Sequence, residues 1–174
     1  MNPLIKRLTE GNERYRQTSD AARRTDTAVN GQHPYAIVIC CSDSRVIPEE
    51  IFSAGLGELF VIRVAGNVLD RHQLGSVEYA AAHLGCKLIV VLGHTGCGAV
   101  GAALSGHTEG LIRYITYDIL LAIGKERDPD KACRRNVLHG VERLKHEFHM
   151  HPEMGDVEFK GAVYDIQTGT VEWL

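Results

Sequence analysis

The chain has 174 residues, of which 44% are hydrophobic and 24% are charged, and its formal net charge is -3. This length suits one domain with its own core, and the composition is that of an ordinary globular protein. The charge argues against nucleic acid as a partner, because a chain that binds a polyanion needs a basic field. Two isolated pairs, Arg23-Arg24 and Arg134-Arg135, are too small to supply one.

The beginning of the chain carries no targeting pattern. Charged residues interrupt every apolar run in its first seventeen residues, so we expect no signal peptide. Nowhere does an apolar run approach the length of a membrane span, so we expect no membrane association and a cytoplasmic location. The five cysteines (Cys40, Cys41, Cys86, Cys97 and Cys133) are therefore expected to bind metal or to be buried, and not to form a disulfide framework.

Residues 1–30 are expected to form a helical arm. Leu4, Ile5, Leu8 and Tyr15 fall roughly on one face of a helix from Pro3 to Gln17. The polar residues from 18 to 32 are predicted to form a loop. Residues 31–174 are expected to form the core of a single domain that includes the whole chain.

Short apolar runs and helical patterns alternate through this core. Runs at residues 35–40, 59–64 and 88–92 are rich in β-branched residues, which is typical of strands buried on both faces. Helices are predicted to begin at Pro48 and to cover residues 74–84, 111–123 and 129–148, before a final pair of strands at 157–164 and 170–173. The pattern predicts an α/β fold with a mostly parallel central β-sheet flanked by helices.

A thiol and an imidazole–thiol pair follow two of the predicted strands. Cys41 comes directly after the first strand, and His94 and Cys97 come directly after the third. The carboxyl ends of parallel strands lie at one edge of a sheet, so the three side chains can meet there. Two thiolates and an imidazole are ligands that zinc prefers, and three protein ligands leave the fourth position open. The His-x-x-Cys pattern alone is weak evidence, since a turn with a packed His and Cys would also produce it.

The segment Cys41-Ser42-Asp43-Ser44-Arg45 strengthens the metal hypothesis. Its thiol, carboxylate and guanidinium alternate, which places all three on one side if the segment is extended. Asp43 and Arg45 can then form a bidentate pair that keeps the carboxylate ionised and oriented. The alternatives are a surface ion pair and a helix-capping Asp43.

Two segments of the chain, CSDSRV at 41–46 and GHTGCG at 93–98, resemble the paired signatures of beta-class carbonic anhydrases. The resemblance extends from about Gly31 to the end and includes the fragments FVIR at 60–63, AGN at 65–67, EYA at 78–80 and GAVYD at 161–165. It implies that Cys41, His94 and Cys97 bind zinc and that Asp43 and Arg45 form a catalytic dyad. It also implies a carbon dioxide pocket lined by Gln32, Phe60, Ala65, Tyr79 and the backbone amide of Gly98.

The implied reaction is the zinc-dependent, reversible hydration of carbon dioxide to bicarbonate and a proton. Hydroxide generated at zinc is expected to attack the substrate, with Asp43 accepting a hydrogen bond that orients the nucleophile and Arg45 holding Asp43. Members of this family are built from dimers whose pockets use both subunits. We therefore expect a homodimer or homotetramer in which the N-terminal helix packs on the partner.

The sequence departs from the family pattern at one regulatory position. Some members have a tryptophan where Val38 stands and use it with an arginine and a tyrosine to form an inhibitory bicarbonate site. This chain keeps Arg63 and Tyr164 but lacks the tryptophan, so that site is not expected here.

Three other functions are compatible with parts of the pattern. Residues 96–101 match the Gly-x-Gly-x-x-Gly fingerprint of dinucleotide-binding domains, but the required second strand with an acidic end is not predicted after them. A non-catalytic zinc protein would usually have a fourth Cys or His ligand nearby. The same fold and metal could also act on carbonyl sulfide or carbon disulfide.

Overall fold

A five-stranded sheet forms the centre of the unit that begins at His33. The computed structural model describes residues 2–149 and 156–174, and within them the strand order is β2-β1-β3-β4-β5. Strands β1 to β4 are parallel, and β5 is antiparallel to β4. The strands are β1 Ala36–Cys40, β2 Leu59–Arg63, β3 Leu88–His94, β4 Glu158–Tyr164 and β5 Val171–Trp173. The predicted α/β class with a mostly parallel sheet is therefore confirmed.

Alternate residues of the central strands enter two different cores. Ile37 and Ile39 of β1 join one buried cluster, whereas Val38 and Cys40 join another. All five residues of β1 are buried, because a central parallel strand is covered on both faces. Cys40, Cys86 and Cys133 are buried as expected, and all five cysteines, each in the described part of the chain, are free thiols.

Helices cover the sheet between and after the strands. They are α3 Pro48–Ile51, α4 Arg71–His83, α5 Gly98–Leu104, α6 Ile112–Ile123 and α7 Pro129–His149, with a short 3-10 turn at Ala65–Asn67. The predicted apolar stripe of α7 is buried, including Val137, Val141 and Leu144. Helix α4 begins earlier than predicted, since Asp70 and Gln73 form a capping box at its start. Helix α5 was not predicted, because its seven residues are too few to show a clear helical period.

The N-terminal unit, which ends at Gln32, contains two helices, α1 Pro3–Thr18 and α2 Ala21–Asn30. The first was predicted, but the prediction of a loop from 18 to 32 is wrong. The Asp20 side chain accepts a hydrogen bond from the Arg23 backbone at 3.0 Å and caps α2. Gly31 ends the helix with a φ of 81°. Local capping therefore forms a helix that buries no residue and whose apolar residues, three alanines and Val29, are too few and small to reveal it within a polar segment.

The described helices do not include one that is suited to a membrane span. None of them combines the length and the apolar character that crossing a bilayer demands.

Candidate metal centre

Two neighbouring parallel strands bring the predicted ligands together. Strand β1 pairs with β3 so that Cys40 lies opposite Leu92, and both strands end at the same edge. Cys41 follows β1, His94 is the last residue of β3, and Cys97 caps the start of α5. The two Sγ atoms and a His94 ring nitrogen all lie within 4.8 Å of one another, and all three residues are buried. The predicted meeting of these side chains is therefore confirmed.

The imidazole of His94 is oriented for metal binding. Its Nδ1 donates a hydrogen bond to the backbone oxygen of Thr95 at 3.0 Å, which leaves the lone pair of Nε2 available. The residue is fully buried, and Nε2 has no hydrogen-bond partner within the described residues. A buried nitrogen without a partner is costly, whereas a second nitrogen bonded to a carbonyl is typical of a metal-binding histidine. This geometry fits a cation bound between His94 and the two thiols.

The two thiols are electrostatically unequal. A hydrogen bond from the Cys97 thiol lowers the pKa of Cys41 to about 4, and the neighbouring His94 imidazole and the Gly66 backbone amide add to this effect. The same hydrogen bond, together with burial, raises the pKa of Cys97, although the backbone amides of Val100 and Ala99 oppose the rise. In such a hydrogen bond one of the two sulfurs keeps its proton. A bound dication would displace that proton, because metals ligate the thiolate form.

A carboxylate is held beside this group by a tight turn. Arg45 donates Nε to Asp43 Oδ1 at 2.9 Å and Nη2 to Oδ2 at 2.7 Å. These hydrogen bonds hold the pKa of Asp43 well below its usual range. The expected bidentate pair is therefore present. The segment is not extended throughout, since Val46 donates its amide to the Asp43 carbonyl at 3.0 Å and closes a turn.

A second arginine fixes the backbone of the same loop. Arg63, at the end of β2, donates Nη2 to the Asp43 carbonyl at 2.7 Å and Nε to the Cys41 carbonyl at 3.3 Å. These bonds connect the loop after β1 to the neighbouring strand. Arg63 is thereby engaged in positioning the loop that carries Cys41 and Asp43.

The residues expected to line the carbon dioxide pocket lie in different parts of the structure. Ala65 and Gly98 lie next to the metal group, since Gly66 contacts Cys41 and Gly98 follows Cys97. Phe60 lies opposite Ile37, three residues before the end of β2, and hence about 10 Å from that end along the strand. Tyr79 accompanies Phe60, with their ring centroids 6.2 Å apart. Gln32 lies in the N-terminal unit.

Sequence reasoning assigned no role to two residues that support the ligand Cys41, one directly and one through the other. Gly66 donates its backbone amide to Cys41 Sγ at 3.3 Å, and Asn136 donates Nδ2 to the Gly66 carbonyl at 2.8 Å. Asn136 is 5% exposed and lies on the buried face of α7 between Cys133 and Val137. A polar residue within an apolar stripe is the signal that could have identified it.

The chain after β3 does not have the context of a dinucleotide-binding domain. Residues 98–149 are all described, and they contain helices α5, α6 and α7 but no strand. Asp118, the acidic residue about twenty positions on, lies within α6. The glycines at 96, 98 and 101 therefore do not form the fingerprint of that fold.

The fold and the site define an α/β protein with a candidate metal centre of two thiols and one imidazole at the carboxyl edge of its sheet. The family model described as carbonic anhydrase matches residues 36–171, and the chain belongs to this family. The resemblance inferred from the sequence motifs is thereby confirmed.

Curated relatives and solved structures agree with this assignment. Carbonic anhydrase 2 of Mycobacterium tuberculosis is 46% identical over 118 residues, 64% of this chain and 57% of the relative. The carbonic anhydrase of Pseudomonas aeruginosa is 36% identical over 82% of this chain and 74% of the relative. The crystal structure of the β-carbonic anhydrase CafA of Aspergillus fumigatus has a TM-score of 0.86 at 26% identity, covering 99% of this chain and 91% of that one.

The match to the mycobacterial relative is partial. It covers little more than half of that protein's length, 57%. The comparisons therefore show the family and the fold.

Proposed function

We propose that the protein catalyses the reversible hydration of carbon dioxide to bicarbonate and a proton, with zinc bound by Cys41, His94 and Cys97. The observation that carries this proposal is a buried group of three ligand atoms within 4.8 Å, whose imidazole Nε2 has no partner among the described residues. Zinc suits these ligands, since it favours sulfur and nitrogen donors. When bound at such a site, it lowers the pKa of coordinated water towards 7 and so supplies a nucleophile at neutral pH.

Asp43 is proposed to orient the nucleophile. Within the described residues its Oδ1 accepts the Arg45 Nε and the Arg45 backbone amide, whereas Oδ2 accepts only Arg45 Nη2. A carboxylate oxygen can accept two hydrogen bonds, so Oδ2 retains capacity for a hydroxyl of the nucleophile. Arg45 would keep this carboxylate ionised and in one orientation, which lowers the entropic cost of reaction.

The pocket for carbon dioxide is proposed to include Gln32, Phe60, Ala65, Tyr79 and the amide of Gly98. Phe60 lies about 10 Å along its strand from the edge that carries the ligands, so Phe60 and Tyr79 would serve the site of another subunit. We therefore propose a homodimer or homotetramer. One solved relative, with 26% identity and a TM-score of 0.74, is described as one of two tetrameric β-carbonic anhydrases of Sordaria macrospora.

The proposed organisation is a single domain with an N-terminal arm, residues 1–30, and a catalytic core, residues 31–174. Leu4, Ile5 and Leu8 of α1 are each more than half exposed, and we propose that this helix packs on the partner subunit. A reducing compartment suits the site because Cys41 and Cys97 must remain unoxidised to bind zinc, and we propose the cytoplasm.

A catalytic site accounts for the residues better than a structural zinc site. Structural zinc usually has four protein ligands, whereas the group in the described residues has three. The carboxylate of Asp43, two residues after Cys41, is paired with Arg45. This arrangement leaves a coordination position for a reactant.

The test is stopped-flow hydration of carbon dioxide by the purified protein, with zinc analysis before and after chelation. We expect about one zinc per chain and activity that disappears with the metal and returns with it. Cys97→Ala should lose both the bound zinc and the activity. Cys86→Ser, which alters a buried thiol outside the group, should keep both the zinc and the activity. A zinc-loaded protein without hydration activity would contradict the proposal, and a parallel assay with carbonyl sulfide would identify the alternative substrate.

A further inference from the structure

A hydrogen-bonded relay connects the middle of α7 to the candidate metal ligand Cys41. Asn136 Nδ2 donates to the Gly66 carbonyl at 2.8 Å, and the Gly66 amide donates to Cys41 Sγ at 3.3 Å. Asn136 is 70 positions from Gly66 in the sequence, and Gly66 is 25 positions from Cys41, so only the tertiary fold creates the relay. Asn136 is buried, and it reaches the ligand through a single residue.

Gly66 needs external support because of its backbone conformation. Its φ is 68° and that of the next residue, Asn67, is 45°, so two consecutive residues lie in the left-handed region. A Cβ at position 66 would meet Ile119 Cδ1 at 2.8 Å and Ala99 Cβ at 3.0 Å. Glycine is required here, and a glycine in an unusual turn has no side chain with which to hold its own orientation.

The direction of the Gly66 amide matters for the sulfur. A thiolate accepts hydrogen bonds, and a backbone N–H directed at it stabilises its negative charge and fixes its position. A hydrogen bond to the Gly66 carbonyl restrains the backbone of this residue and therefore the N–H that reaches Cys41.

We propose that Asn136 is a positioning residue of the metal centre, which restrains the turn at Gly66 so that its N–H supports the Cys41 thiolate as a ligand. The inference rests on the proposed zinc site. Asn136 itself touches neither metal nor substrate, and its influence passes through Gly66.

The experiment compares Asn136→Asp and Asn136→Leu with the wild-type protein. Both variants keep approximately the size of the side chain and remove the N–H donor. Thr116→Val is the matched control, because it removes a buried side-chain hydrogen bond on α6 whose acceptors, the carbonyls of Ile112 and Arg113, lie outside the relay. Zinc affinity is measured by competition with a chromophoric chelator, and folding by circular dichroism.

We expect both Asn136 variants to bind zinc about 10- to 100-fold more weakly than wild type, while Thr116→Val changes the affinity less than twofold. A second readout is NMR of the cadmium-substituted proteins. A coupling between the Gly66 amide proton and cadmium is expected in the wild type and is expected to weaken in the Asn136 variants, an effect that general loss of stability would not produce.

Several results would overturn the inference. The inference is wrong if a folded Asn136 variant keeps both the zinc affinity and the cadmium spectrum of the wild type. It is also wrong if Thr116→Val loses as much zinc affinity as the Asn136 variants do. Failure of both Asn136 variants to fold would assign the residue to fold stability alone. Each of these results differs from failure of the proposed function, in which the wild-type protein itself binds no zinc or hydrates no carbon dioxide.

Discussion

Arg45 holds both carboxylate oxygens of Asp43, through Nε at 2.9 Å and Nη2 at 2.7 Å, from only two residues away in the chain. The two residues lie in the same turn, from 43 to 46, and the Asp43 Oδ1 also accepts a hydrogen bond from the backbone amide of Arg45 at 3.0 Å. The carboxylate is therefore oriented from within its own loop, while Arg63 of β2 holds the backbone of that loop.

The bidentate geometry predicts that Arg45→Lys is not a conservative change. Lysine supplies a point charge and cannot hold both oxygens in one plane, so the carboxylate should lose its fixed orientation. We expect kcat for carbon dioxide hydration to fall by about 10- to 100-fold, measured by stopped flow. Arg134→Lys, which alters the exposed Arg134–Glu172 pair in the same way, should leave kcat within twofold. If the two substitutions lowered kcat equally, Arg45 would have no specific role in catalysis.

The lowered pKa of Asp43 predicts a pH-dependent contribution to stability. A carboxyl whose pKa is depressed in the folded state stabilises that state fully above its unfolded pKa, about 4. This contribution is lost as the pH falls through the lower, folded-state pKa. The difference in Tm between wild type and Asp43→Asn should therefore be largest at neutral pH and should narrow below about pH 4. A constant difference from neutral pH to about pH 3 would show that Arg45 does not stabilise the ionised carboxyl.

The two thiolate ligands predict an alkaline activity profile. Cys41 and Cys97 as thiolates cancel the charge of a zinc dication, so a coordinated water should be less acidic than at a site of three neutral histidines. Activity should rise with pH between about 7 and 9 in stopped-flow assays at constant ionic strength. A profile that stays flat across this range would argue against thiolate ligation.

Close packing around Gly93 predicts a sensitive position next to His94. A Cβ at this residue of β3 would meet Val137 Cγ2 at 2.5 Å and Cys133 Sγ at 3.1 Å, both on α7. Gly93→Ala should cost about 1–3 kcal/mol of unfolding free energy and weaken zinc binding, because the end of the strand must shift. Chemical denaturation and chelator competition measure the two effects.

Gly101→Ala is the control for this substitution. Nothing lies within 4 Å of a Cβ at position 101, which is inside helix α5, so the change should leave zinc binding intact and stabilise the helix by up to about 1 kcal/mol. Retention of wild-type zinc affinity by Gly93→Ala would show that the strand end tolerates the shift.

The position of Phe60 and Tyr79 predicts complementation between subunits. Cys97→Ala removes a ligand, and Tyr79→Ala removes a side chain that is 49% exposed and so should not disturb folding. If each pocket uses one subunit's ligands and the other's Tyr79, a mixed dimer contains one intact site. When the two variants are unfolded and refolded together, their mixture should be more active than the mean of the two separate proteins. If Tyr79→Ala alone is inactive, the activity of the mixture should be about a quarter of the wild-type value, because half of the dimers are mixed and each of these has one intact site of two. Activity equal to that mean would place each pocket within one subunit.

Local pattern explains why much of the fold was predictable. The runs at 35–40, 59–64 and 88–92 are mostly apolar and rich in β-branched residues, and each of them forms a strand. Strands β1 and β3 are buried as expected, whereas β2, at the edge of the sheet, is mostly only half-buried. Helix α2 escaped prediction because its apolar face consists only of three alanines and Val29, which do not stand out in a polar segment between the cap at Asp20 and the stop at Gly31. Helix α5 escaped because it is short and rich in glycine and alanine.

The ligand set was predictable for a topological reason. Once two buried runs are parallel neighbours, the residues that follow them must lie at one edge, so Cys41 meets His94 and Cys97 without any detailed knowledge of packing. The orientation of His94 by the Thr95 carbonyl and the turn at Asp43 could not be read from residue types. Both depend on backbone angles that many sequences can adopt.

The amino-acid sequence by itself determined the α/β class, the strand positions and the three candidate ligands, because buried strands and their ends leave a strong one-dimensional pattern. The tertiary structure alone decided that Asn136 donates a hydrogen bond to Gly66 and that Phe60 lies about 10 Å from the edge carrying the ligands. Those relationships depend on how α7 packs and on the parallel register of β1 and β2. Contacts between residues far apart in the chain carry no signal in its local periodicity, since they arise only when separate elements close around a shared core.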